Sequence, residues 1–89
     1  MKKTKPLAKE RRKIDSIDKR MILLLSKRIR MAKKLRKIKK KNRLKTTDRA
    51  REREVIQNAR AMAQQHDIEP GFAENIFKKI IKYMKEQQR

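Results

Sequence analysis

Residues 7–69 contain neither proline nor glycine, because the two prolines are Pro6 and Pro70 and the single glycine is Gly71. A chain without strong breakers over most of its length is free to run as helix, and the spacing of its apolar residues decides whether it does. From Pro6, which suits a first helical position, Leu7, Ile14, Ile17, Met21, Leu24, Met31, Leu35 and Ile38 mostly follow steps of three and four. The spacing predicts one very long helix over roughly 7–41. Residues 42–47 are polar, and Thr46, Thr47 and Asp48 are good N-caps for a second helix over about 48–65 carrying Val55, Ile56, Ala59, Met62 and Ala63. Pro70 then opens a third helix, lined by Ala73, Ile76, Phe77, Ile80, Ile81 and Met84 and ending near Gln88.

The fold class is therefore all-α, with three helices in a single domain over 7–89 and a basic flexible tail over 1–6. A 35-residue helix is about 52 Å long, whereas a compact domain of about 100 residues has a radius of gyration of only about 13 Å. The first helix overshoots what two shorter helices of the same chain can cover. Its apolar stripe is best buried against a second copy, which makes an intertwined homodimer of six helices the expected architecture.

The charge is equally uneven. Thirty Lys and Arg stand against ten acids for a net +20, but residues 1–45 carry +18 of it and residues 46–89 only +2. Such a balance points to nucleic acid, an anionic surface or a small anion as partner. Aromatics make up only 3% of the chain, which leaves little for base stacking, and no known nucleic-acid motif is present; non-specific nucleic-acid binding is expected as a side property of the charge. With no cysteine, disulfides and thiolate metal sites are excluded, in keeping with a cytoplasmic setting. The longest apolar run, Met21 to Leu25, is too short to span a membrane, so neither membrane insertion nor export is expected.

Several charges sit where apolar residues belong. The seam 14, 17, 21, 24, 28, 31, 35, 38 puts Arg28 in a position suited to leucine, and an unpaired buried charge costs several kcal/mol, so Arg28 needs an acid, a ligand or water. Lys39 lies about 20° away around the helix and roughly 16 Å along it, so the two long side chains can converge on one small anion. Arg11 is turned by about 100° and displaced by about 25 Å from Arg28, too far to serve the same ligand. On the second helix, Asp48 and Glu52 head the apolar stripe, with Arg51 beside them. Phe77, Ile81, Met84 and Gln88 form a stripe on the third.

Each residue has a plainer role open to it. Arg11 and Lys39 are equally read as solvated surface charges, Arg28 as a structural ion pair or register device, Asp48 as a helix cap and Glu52 as a complement to the helix dipole. Gln88 reads as a polar tail, His66 as a surface turn residue and Met84 as core.

Taken together, Arg11-Arg12-Lys13-Ile14-Asp15-Ser16-Ile17-Asp18, Leu24-Leu25-Ser26-Lys27-Arg28, Lys39, Asp48-Arg49-Ala50-Arg51-Glu52 and Gln88 resemble, in order and spacing, the all-helical class of chorismate mutases. The resemblance implies an intertwined dimer with two equivalent sites, each using Arg28, Lys39, Asp48, Arg51, Glu52 and Gln88 of one chain and Arg11 of the other. It implies the rearrangement of chorismate to prephenate, a pericyclic step that needs no nucleophile, metal or cofactor. Arg11 and Arg28 would then clamp the substrate carboxylates, and Lys39 and Gln88 would donate to the ether oxygen. Glu52 would accept from the ring hydroxyl, aided by the backbone near Asp48, while Arg51 would hold that carboxylate or help with a ring carboxylate. Met84 departs from the pattern: the family commonly places a small hydroxyl residue that contacts substrate there. Isochorismate pyruvate lyases resemble the chain too, but tend to lack the acid that Asp48 to Glu52 supplies here.

Overall fold

The computed structural model describes residues 4–45 and 48–87. They form three helices, α1 (Lys5–Lys41), α2 (Arg49–Gln65) and α3 (Pro70–Glu86), with no strand among the described residues. None of these helices is long and apolar enough to cross a membrane. The helix starting at Lys5 begins earlier than the expected residue 7. Pro6 fits in its first turn, where the missing N–H would have no intrahelical acceptor, and the Ala8 N–H donates to the Thr4 carbonyl at 2.9 Å.

Neither α1 nor α2 ends on a glycine. Each instead places a non-glycine residue in the left-handed region, Arg43 (φ 57°) after α1 and Asp67 (φ 58°) after α2. The next residue folds back: the Leu44 N–H donates to the Lys39 carbonyl, and the Ile68 N–H to the Ala63 carbonyl, both at 2.8 Å. These six-to-one bonds satisfy carbonyls that the helix itself leaves without donors. The expected cap of α2 is present, with the Asp48 carboxylate accepting from the Arg51 N–H at 3.0 Å.

The chain divides into two units, one running to Leu35 and one from Arg36 onward. The first is a single stretch of α1. It has no buried residue, and Leu7, Ile14, Ile17, Met21, Leu24, Met31 and Leu35 are all at least half exposed. In the second unit α2 and α3 pack as an antiparallel hairpin whose buried side chains, among the described residues, are Ala59, Ala63 and Met84. The two alanines let the helix backbones approach closely. Met62, expected on the inner stripe, is exposed instead, because Ala59 and Ala63 take the contact face of α2.

Polar links hold the hairpin at both ends. Glu74 on α3 receives Arg60 of α2 at 3.0 Å and Lys78 of its own helix at 2.8 Å, while Glu52 of α2 receives Lys85 of α3 at 2.8 Å. The hydrogen bonds from Lys78 and then Arg60 hold the Glu74 carboxyl below its ordinary pKa, outweighing the opposing effect of its partial burial.

Two outcomes follow. Glu74 binds a proton less readily folded than unfolded, so its contribution to stability is complete above the ordinary glutamate pKa and is lost as pH falls through the lowered folded value. Urea unfolding of Glu74→Gln across the acid range is therefore expected to show a shallower loss of stability than the parent. Asp67→Gly, relieving a left-handed backbone at a residue with a Cβ, is expected to raise stability by about 0.5 to 1 kcal/mol in the same assay.

Candidate functional site

The first turn of α2 and the last turn of α3 meet at one end of the hairpin, where the candidates Asp48, Arg51 and Glu52 lie. Asp48 precedes α2, and its carboxylate is engaged as the helix cap. Arg51, one turn in, forms an ion pair with Glu54 on the exposed side of α2. Glu52 faces α3, its side chain 28% exposed and joined to Lys85 Nζ at 2.8 Å. Along this face of the hairpin runs an open groove of about 810 Å³, lined by Ile56 and Ile81, by the carboxylates of Glu52 and Glu74, and by Arg49, Arg53, Arg60, Lys78, Lys82 and Lys85. Both carboxylates are paired with cations, and the cations left over beside two isoleucines suit a small anionic ligand with an apolar part.

The other candidates divide between the two units. Arg11 and Arg28 lie on α1 in the first unit, where Arg11 is exposed and Arg28 is only partly exposed, and neither makes an ion pair with a described residue. The apolar seam neighbours of Arg28, Leu24, Met31 and Leu35, are themselves at least half exposed, and the acid that a structural ion pair would need is missing among the described residues. Lys39, in the second unit, is likewise partly exposed and without an acidic partner among the described residues; its backbone carbonyl takes part in the turn that ends α1. Met84 is buried in the hairpin core at 6% exposure, as its alternative reading as core expects. Gln88 lies outside the described residues.

Two residues here carry no mark in the sequence. Lys85 engages Glu52, a pairing that follows only from the register of α2 against α3. Arg36 on α1 donates from Nη1 to the Gln87 carbonyl at 3.3 Å, with its Nε and Nη2 buried and without an acceptor among the described residues. It lies off the apolar seam in a stretch crowded with cations, so periodicity does not single it out. Among the described residues no three His, Cys, Asp or Glu side chains cluster closely enough to hold a metal ion.

The family model for chorismate mutase type II matches residues 10–89 of the chain. No curated protein and no solved structure matches it. The family match takes in α2, α3 and nearly all of α1, and the all-helical fold expected from the sequence is the one observed. The protein belongs to the type II chorismate mutase family.

Proposed function

We propose that the protein rearranges chorismate to prephenate as a homodimer, with each site completed by Arg11 of the second copy. The observation that carries this reading is Arg28: a guanidinium in an apolar helix seam, partly buried, with no acid beside it among the described residues, in a chain of this family. A charge so placed is served by water in the free chain and gains a partner of opposite sign when an anion arrives.

The reaction breaks one C–O bond and forms one C–C bond within a single dianionic molecule, so the protein has to fold the substrate and stabilise the charge that develops on the ether oxygen. Arg28 and the second copy's Arg11 grip the two carboxylates through charge-assisted hydrogen bonds and hold the side chain over the ring. Lys39 and Gln88 donate to the ether oxygen as the bond lengthens, an interaction stronger in the transition state than in the bound substrate. Glu52 accepts from the ring hydroxyl, and Lys85 fixes the orientation of its carboxylate. Arg51 and the backbone beside Asp48 complete the hydroxyl end. Gln88 is a neutral donor at every pH, so no acid-side activity requirement arises from that position.

Arg11 and Arg28 are separated by about 25 Å along one helix, which is why a single chain does not assemble the clamp. The substrate also explains part of the charge: an excess of cations speeds the approach of a dianion.

Purified protein given chorismate is expected to consume its absorbance and accumulate prephenate. Pyruvate and salicylate formed from isochorismate would instead identify a lyase, and inertness to both substrates together with tight, salt-sensitive RNA binding would overturn the enzymatic reading. Arg28→Ala and Glu52→Ala are each expected to lower turnover by roughly a hundredfold or more with the dimer intact. Mixing Arg11→Ala chains with Arg28→Ala chains should restore about one working site per mixed dimer, measured as activity regained on mixing two inactive proteins; no recovery would contradict sharing between copies.

A further inference from the structure

The last carbonyls of a helix have no donors from a following turn and draw in cations or other N–H groups. At the end of α3 the Gln87 N–H closes back onto the Tyr83 carbonyl at 3.1 Å. The Gln87 carbonyl is met by Arg36 Nη1 at 3.3 Å, a hydrogen bond between residues 51 positions apart within the second unit.

Arg36 is an expensive way to fill that position. Its Nε and Nη2 are shielded from solvent without an acceptor among the described residues, so the side chain carries a desolvation penalty that leucine or methionine would avoid. What an apolar side chain cannot do is donate to a helix end and complement the negative pole of its dipole. The guanidinium therefore ties the C-terminal turn of α3 to the turn of α1 that also carries Lys39, three residues on.

We propose that Arg36 is a positioning residue: by holding the Gln87 carbonyl it fixes the end of α3, the turn from which the chain passes on to Gln88. This rests on the role given to Gln88 in the mutase reading. Lys39 and Gln88 have to reach the same ether oxygen, and a neutral amide near a helix terminus has no charge of its own to hold it there. Terminal turns fray, and a displacement of about 1 Å in a positioned donor is enough to cost activity. Lys85 on Glu52 is a second tether of the same turn, but it engages a residue assigned to the substrate, whereas Arg36 acts only through the backbone.

The test uses the full chain with Arg36→Ala, Arg36→Lys, Gln88→Ala and the Arg36→Ala/Gln88→Ala double variant. Hydrogen exchange followed by mass spectrometry is expected to be faster in Arg36→Ala for the segment 83–89 and unchanged for 49–65. Turnover should fall about tenfold with KM little altered, and Arg36→Lys, which keeps a donor, should recover most of it. In the Gln88→Ala background, removing Arg36 should cost nothing further, because its effect passes through Gln88. Unchanged exchange at 83–89, uniform acceleration across α2 and α3, or losses from Arg36→Ala and Gln88→Ala that multiply would each overturn the proposal. A parent protein inert to chorismate, with exchange at 83–89 accelerated all the same by Arg36→Ala, overturns the mutase reading while leaving the anchor in place.

Discussion

A helix of 37 residues in which no side chain is buried is the constraint on which everything else depends. At 1.5 Å per residue it is about 55 Å long, and its apolar face runs for most of that length. Among the described residues only Ala59, Ala63 and Met84 are buried, so the chain alone holds little core to offset the entropy of ordering it. An uncovered apolar stripe of this extent is a surface for association. A second copy supplies an identical stripe, and two-fold pairing makes every contact twice. In the proposed homodimer, stability and the site share one cause: the association that would cover the seam is also what would bring a distant Arg11 to Arg28.

Charge inside that seam turns association into chemistry. In the proposed mutase Arg28, which has no acid beside it among the described residues, gains its partner when a substrate carboxylate enters. The same holds on a smaller scale at the end of the hairpin, where Glu52 is held by Lys85 and the end of α3 is held by Arg36. The catalytic demand is modest in kind: no bond to the protein forms, so rate depends on how firmly a few donors are placed around one dianion. A residue that touches no substrate but fixes a donor is then as consequential as one in contact.

Much of the fold is legible in the sequence because helix starts are written locally. Asp48 caps α2 and Pro70 opens α3 where expected. Helix ends are less legible: Arg43 and Asp67 take the left-handed turns usually given to glycine, and only the polar residues around them mark the stops. Met62 also departs from the inner face that the spacing predicts for α2, since the hairpin places the small side chains of Ala59 and Ala63 at the contact. Among the candidate residues, Arg28 stands out because it interrupts a period, and Glu52 because it heads an apolar stripe. Lys85 and Arg36 do not, because their partners lie on other helices and neither breaks a local pattern; one more cation among thirty is invisible until the chain is folded.

The central claim is that α1 is covered by a second copy, and sedimentation equilibrium of the purified protein tests it most directly. The expected result is a single helical species at twice the 10.8 kDa mass of the chain, dissociating only as helicity is lost. A helical, cooperatively unfolding monomer at micromolar concentration would contradict it.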